Sequence, residues 1–414
     1  MEVGVGLSSD PPTSEEPPVR PVILPFIYPT DTKDVCKTQL VDTNAQYLAT
    51  QVRDLKQQLD DIFPVFNYDD TSKGKPDFDV PMHIPQTGKP TRQFRQTIKA
   101  TLDLLNGLED GEAAAYHARD FSQDTFKLSV NLWDLGLWDE SLAVQTICVD
   151  LCRGLRLENG GSQLHATNFA MALNNLFIRL SQLGHLEEAL QAIQEAAEIH
   201  RKLARENPKD FNHHLGYSLM HFSICLSHLN RLEEALQIGR ESVDLRREMA
   251  AEKSDAPSRA DLAQCLIDFS NRLSDLDHHE EALRTIQEAV DIYQQLNGAH
   301  PNVYIVDLGI ALHNMSQRLA NVGCTEEGLK IIQTAVDIRQ RLAIDRPALF
   351  NPDLASSLRT LSLRLIDLDR LDEALEVAQK SVDIFRQLAT VRPALYEDPL
   401  ARSLNVLTHC QKQK

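Results

Sequence analysis

The chain has 414 residues, 42% of them hydrophobic and 25% charged, which is enough for one extended array or two compact domains. Its 60 acidic and 42 basic residues give a net charge of -18. This acidic balance argues against nucleic acid or an anionic membrane surface as a partner and favours a neutral or basic polypeptide.

The N-terminal segment 1–34 is rich in proline and lacks the basic and apolar stretches of a secretory signal or a membrane span. We therefore predict a disordered tail and a cytoplasmic location. The seven cysteines are scattered singly along the chain, without the spacing of a disulfide framework. That pattern indicates reduced thiols packed inside helices.

An amphipathic helix is predicted for residues 35–63, where apolar residues from Val41 to Ile62 alternate steps of four and three. This is the heptad spacing of a coiled coil, but the flanking positions carry almost no charge that would select a partner helix. The helix therefore either packs against the rest of the chain or forms a homodimer. Residues 64–90 are acidic and proline-rich, which predicts a linker or an extended strap.

Residues 91–414 are periodic. The segment from His185 to Leu190 recurs four times downstream and once, in weaker form, upstream, and its last leucine returns at steps of 46 to 48 residues. Ten residues before that leucine stands another, with an apolar residue four positions earlier, which predicts a first amphipathic helix. A small or β-branched residue, an acid and an aliphatic residue follow in each unit and mark a second helix. Prolines recur in phase between the units and interrupt the helices.

Each unit thus predicts a helix, a short turn, a longer helix and a proline-bearing loop. One such pair cannot bury its apolar stripe alone, so neighbouring pairs must stack. The predicted fold is all-α, a right-handed α-solenoid of stacked antiparallel helix pairs. We expect a half-repeat around Phe94 to Leu105 at one end, and one more first helix from Pro399 to Cys410 at the other.

The residues Leu176 to Leu180, Gly184, Ala189-Leu190 and Ala196 resemble the tetratricopeptide repeat. Most units also carry its small residue late in the first helix, for example Ser223, whereas Phe177 departs from it and predicts locally different packing. The period exceeds the usual ~34 residues and is similar to that of the long-repeat class seen in kinesin light chains and fungal repeat arrays.

This resemblance implies a concave groove lined by the first helices. It also implies a non-catalytic scaffold or adaptor that binds a protein or peptide there. The alternative is a regulatory or sensor array that works with a separate signalling NTPase or biosynthetic enzyme.

Polar residues beside the leucine stripe of the first helices suit a peptide ligand, because asparagine pairs with backbone amides and arginine with carboxylates. The predicted groove residues are Asn174, Asn175, Arg179, His221, Asn271, Arg272, Asn314, Gln317, Arg318, Arg359 and Arg364. Arg272, Arg318 and Arg364 each stand one position before the repeat leucine. They either pair with nearby acids, such as Asp275 and Asp367, or grip acidic side chains of a ligand.

Other chemistry is poorly represented. Gly74-Lys75 and Gly88-Lys89 lack the upstream glycine of a phosphate loop. The pair His213-His214 occupies adjacent helix positions, which point about 100° apart and cannot face one ion, so surface or cap histidines are expected. We therefore predict no catalytic residue, no metal and no cofactor.

Overall fold

The computed structural model describes residues 137–158 and 162–413, together with residues 125, 128–130, 132 and 133. All of these belong to one compact unit, Lys37–Lys414. The predicted tail, the helix at 35–63, the linker at 64–90 and the half-repeat near Phe94 lie outside the described residues. Their prediction is therefore not tested.

Twelve helices follow one another in the described part of the chain, and no strand occurs there. Their bounds are α1 Trp138–Glu158, α2 Gln163–Gln182, α3 Leu186–Glu206, α4 Pro208–His228, α5 Leu232–Lys253, α6 Ala256–Asp275, α7 His279–Ala299, α8 Ile305–Asn321, α9 Thr325–Asp345, α10 Pro347–Asp367, α11 Leu371–Val391 and α12 Pro393–Gln413. The even-numbered helices are the first helices of the pairs, and the odd-numbered helices are the second. Each helix contacts the next along the chain, which confirms the predicted solenoid of stacked helix pairs.

The turn inside each pair is a repeated C-terminal cap. Two positions beyond the end of each first helix from α2 to α10, a single residue has a positive φ. It is always Gly, Asn or Asp, the residues that tolerate this conformation best: Gly184, Asn230, Asp277, Gly323 and Asp369. The next residue donates its N–H to a carbonyl five positions back, as His185 does to Leu180 and Cys324 to Leu319. This Schellman arrangement ends the first helix and starts the second at the same place in every unit.

Helix starts follow the local sequence. The second helices carry an acidic pair in their first turn, such as Glu187 and Glu188, where the helix dipole stabilises negative charge. Pro208, Pro347 and Pro393 stand at the first helical position, which needs no N–H donor. The prediction that the last helix begins at Pro399 is wrong, because α12 begins at Pro393 and includes Pro399.

Small residues let the two helices of a pair approach closely. Ser223, Ser270 and Ser316 are buried and donate from Oγ to the carbonyl oxygens of Ala235, Ala282 and Gly328, at 2.7, 2.9 and 2.8 Å. A β-carbon on Gly328 would meet the Ser316 carbonyl oxygen at 3.0 Å. In the pair formed by α2 and α3, Phe177 takes the serine position and lies against the ring of His221 in α4, 5.1 Å between centroids.

The array curves toward its first helices. The backbone of each first helix from α2 to α10 comes close to the first helix of the next pair. Successive second helices stand farther apart and meet through ion pairs of long side chains, such as Arg201 of α3 with Glu241 of α5 at 2.7 Å. Because the second helices are spread apart and the first helices are drawn together, the first helices lie on the inner side of the curve.

Candidate functional site

The inner side carries a stripe of partly exposed residues at steps of three, four or seven along the first helices. We name this the inner stripe; its members are Tyr217, Met220 and Ile224 of α4, Gln264 and Asn271 of α6, Ile310 and Gln317 of α8, and Ser356, Arg359 and Leu363 of α10. The stripe mixes aliphatic and amide side chains with few charges. Such a surface can accept an extended polypeptide by apolar contact and backbone hydrogen bonds.

The structure separates the eleven predicted groove residues into three groups. Asn271, Gln317 and Arg359 lie on the inner stripe and are partly exposed. Six residues expected to face solvent are instead between 0% and 7% exposed: Asn174, Asn175, Arg179, His221, Asn314 and Arg318. They are buried because each first helix packs on both neighbouring first helices as well as on the second helices.

Arg272 and Arg364 form the third group, with side chains 12% exposed. Arg272 pairs with Asp275 at 3.1 Å and Arg364 with Asp367 at 3.3 Å, so an internal pairing weighed from the sequence is found at both positions. Arg318 instead donates to the side-chain oxygen of Asn271 at 3.0 Å, from α8 to α6. The binding role of all eleven residues stays a prediction.

A buried polar network joins α2, α3 and α4. Asn174 Nδ2 donates to Ser218 Oγ at 3.0 Å, and a hydrogen bond of 2.8 Å joins that hydroxyl to His200 Nδ1. The rings of His200 and His214 stack at 5.4 Å. Burial lowers the pKa of His214 to about 4, with His213 adding to the shift, and burial also holds the pKa of His200 well below its usual range. These histidines are therefore neutral near pH 7.

His214 also corrects a prediction. The sequence placed His213 and His214 at the surface or at a helix cap, but only His213 is exposed. His214 is 5% exposed, inside the stack. Adjacent helix positions face different directions, and here one direction is the core.

Two buried arginines recur in the second helices. Arg246 of α5 lies against Gly216 of α4, where a β-carbon would meet its Nε at 3.3 Å. Two repeats later, Arg339 of α9 lies near Gly309 of α8, where a β-carbon would meet Ile338 at 3.5 Å and the Nε of Arg339 at 3.9 Å. The chain thus has glycine in the first helix where the second helix buries an arginine.

Five of the six cysteines in the described residues are buried, and none of the six is in a disulfide. Burial raises the pKa of Cys225 to about 12, so this thiol is unreactive at neutral pH. Cys324 is exposed, contrary to the expectation of packed thiols, because it occupies the turn immediately before α9.

No group of three or more His, Cys, Asp or Glu side chains gathers as metal ligands in the described part of the chain. None of its helices combines the length and the hydropathy that a membrane crossing requires. A cavity of about 440 Å³ opens between α9 and α11 on the outer side. Leu354, Leu358 and Leu361 of α10 form the floor of this cavity. The cavity is present because the second helices α9 and α11 stand apart from each other.

Sequence reasoning missed the aliphatic part of the inner stripe. Met220, Ile224, Ile310 and Leu363 stand at core-like spacing, so they looked like core residues. Their position relative to the regularly spaced leucine of the first helix could have shown that they face the inner side. Ile224 and Leu363 stand two residues before that leucine, as Asn271 and Gln317 do.

Comparison with known proteins agrees with this architecture. The family model of the tetratricopeptide repeat matches residues 169–208, 262–302 and 354–389. The model of anaphase-promoting complex subunit 5 matches residues 199–258. Three segments of the chain therefore match the tetratricopeptide repeat, as the resemblance in its sequence predicted. No curated protein sequence matches it.

The solved structures similar to this chain have low sequence identity to it. BtubC (BKLC) from P. vanneervenii is 15% identical, with a TM-score of 0.49, and the match covers 61% of this chain and 92% of that one. A Podosopora anserina protein described as a kinesin light chain with nearly identical TPR-like repeats is 18% identical, with a TM-score of 0.40, over 55% of this chain and 99% of that one. The apo form of RapI is 12% identical, with a TM-score of 0.48, over 72% of this chain and 95% of that one.

Proposed function

We propose that this protein is a non-catalytic scaffold or adaptor that holds a polypeptide against the inner stripe. The observation that carries the proposal is the stripe itself, which runs over four consecutive first helices and keeps aliphatic side chains partly exposed on the inner side of the curve. Partly exposed aliphatic groups in a concave surface gain stability when a ligand removes them from water.

The chemistry of the stripe supports a peptide rather than a small substrate. Gln264, Asn271 and Gln317 supply side-chain amides at successive first helices, and each amide can both donate to and accept from a peptide backbone. Such contacts repeat along the array, as an extended chain requires.

The experiment is a capture of cell proteins on the full-length chain, quantified by mass spectrometry, with two double variants of equal charge change. The first carries Ile224→Arg and Leu363→Arg on the inner stripe. The control carries Ile344→Arg and Val391→Arg, at residues 76% and 67% exposed between helix pairs. Surface changes of this kind move stability by about 0.5 kcal/mol, so melting temperatures should stay close to that of the unchanged chain.

The expected result is loss of the captured partner with the inner-stripe variant and full capture with the control. Equal capture by both variants would remove the inner stripe as the binding surface. If the captured partner is a signalling NTPase or a biosynthetic enzyme, the regulatory reading of the array is favoured over a plain adaptor.

A further inference from the structure

One face of α12 is uncovered in the part of the chain that the structure describes. The first helix one repeat earlier, α10, contacts both α11 and α12, and four residues on its corresponding face are between 0% and 8% exposed: Ala355, Leu358, Ser362 and Leu365. The equivalent residues of α12 are all exposed: Ala401, Leu404, Thr408 and Gln411. Leu404 is 36% exposed, against 8% for Leu358. We name these four residues of α12 the end face.

A cavity of about 450 Å³ lies beside the end face. Leu375 and Gln379 of α11 line it, together with Gln411 of the end face. Gln379 stands one repeat after Gln333, which lines the cavity between α9 and α11. The cavity at α12 therefore lies on the side of α11 where, one repeat earlier, α9 faces the next second helix. The end face and this cavity together leave room for one more helix, in the place that a second helix has elsewhere in the array.

The charges of α12 are balanced, unlike those of the chain as a whole. Pro393–Gln413 contains two acids, Glu397 and Asp398, and two bases, Arg402 and Lys412. The net charge of -18 therefore arises outside this helix, and two copies of α12 repel each other little. Asp398 forms an ion pair with Arg402, whereas Glu397 and Lys412 form none within the described residues.

A second copy of α12 complements the end face in shape and charge. Each first helix in the array runs antiparallel to its second helix, and two copies of α12 related by a two-fold axis are antiparallel as well. When Leu404 meets Leu404 of the second copy at the axis, Ala401 lies opposite Thr408, so two small side chains let the helices approach. In the same register Glu397 lies opposite Lys412 of the second copy, twice in each dimer.

We propose that the end face is a self-association surface, which binds α12 of a second copy of this chain in an antiparallel arrangement. The inner stripe belongs to α4, α6, α8 and α10, so the two surfaces are separate and this inference does not rest on the proposed function. A dimer of this kind carries two inner stripes, which would strengthen binding to a partner that has two suitable segments.

Sedimentation velocity of the full-length chain over a range of concentrations tests this surface. One helix pair is a small interface, so we expect a weak dimer whose fraction rises with concentration. Leu404→Glu places two carboxylates at the axis and should leave the chain monomeric at every concentration. Leu395→Glu is the matched control: this leucine is 38% exposed, nine residues before Leu404 on the opposite side of α12, and its replacement should keep the dimer.

Charge reversal tests the antiparallel register. Glu397→Lys and Lys412→Glu should each weaken association roughly tenfold, because two exposed pairs change from attraction to repulsion. The double variant should restore it. These two residues stand 15 positions apart in α12, about 22 Å along the helix, so one reversal can compensate for the other only between copies.

A full-length chain that stays monomeric at every concentration would overturn this inference. A dimer that survives Leu404→Glu would overturn it too, since association would then use another segment, such as the helix predicted for residues 35–63. If Leu404→Glu does not fold, the charge reversals at exposed positions still decide. Failure of the double variant to restore association would contradict the proposed arrangement.

Discussion

The junctions α4–α6 and α8–α10 lie two repeats apart and share one scaffold, yet they balance charge differently. In the first, Arg246 is 4% exposed and pairs with the carboxylate of Asp261 at 2.9 Å. In the second, Arg339 meets the backbone carbonyl of Asp353, the residue equivalent to Asp261. The repeat therefore fixes where a buried arginine lies, whereas the local side chains decide whether its charge is matched inside the protein.

Acid should destabilise the α4–α6 junction through its histidines. Burial lowers the pKa of His214 to about 4, so His214 stays neutral in the folded state while an unfolded histidine gains a proton below about pH 6.5. Protonation of this histidine therefore leaves the free energy of unfolding unchanged above pH 6.5. As the pH falls from 6.5 to 4, it lowers the free energy of unfolding by about 3 kcal/mol.

His214→Gln removes this titration, so the free energy of unfolding from urea titrations should fall less steeply between pH 6.5 and 4. His409→Gln, at an exposed residue of α12, is the control and should leave the slope unchanged. Parallel curves for His214→Gln and the unchanged chain would contradict the buried, neutral histidine.

Removing the acid at equivalent positions should separate the two junctions. Asp261→Asn leaves Arg246 without a matching charge and should cost about 3 kcal/mol, the low end for a broken buried pair, because Asp261 is 23% exposed. Asp353→Asn keeps the carbonyl that Arg339 uses and should cost less than about 1 kcal/mol. Urea unfolding of the two variants side by side measures the difference, and equal losses would show that Arg339 depends on the Asp353 side chain as well.

Alanine substitution of Gly309 and Gly216 should affect stability differently at the two junctions, and by less than loss of the aspartate does. A β-carbon at Gly309 would meet its nearest neighbour at 3.5 Å, an ordinary contact, so Gly309→Ala should stabilise α8 by up to about 1 kcal/mol through helix propensity. At Gly216 the nearest atom, Arg246 Nε, lies at 3.3 Å, and Gly216→Ala must displace the paired guanidinium. Melting temperatures should rise for the first variant and not for the second; a rise for both would mean that Arg246 adjusts freely.

The helix pairs could be predicted from the sequence because leucines, acidic pairs and prolines recur in phase at each helix boundary. Exposure could not be predicted in the same way. Asn174 and Asn314 stand beside the leucine stripe of isolated helices, but contact between successive first helices buries both. Alanine at Asn271 or Asn314 would therefore test the stack as well as binding, because Asn271 also accepts a hydrogen bond from Arg318.

The match between Gly216 and Arg246 illustrates the same limit. Glycine in a helix normally lowers its stability, so the sequence alone gives it no positive role. Its use becomes visible only when the arginine of the second helix is placed against it. Pairings between helices depend on which faces meet, and single-helix periodicity does not contain that information.

Photo-crosslinking from single positions tests most directly that a polypeptide lies on the inner stripe. A photoreactive amino acid is placed at Leu363 and Tyr217 of the stripe and at the exposed Ile344, and each variant is mixed with the partner that the unchanged chain captures. We expect crosslinking from Leu363 and from Tyr217, and none from Ile344. Crosslinking from Ile344 with none from Leu363 or Tyr217 would contradict the inner stripe as the binding surface.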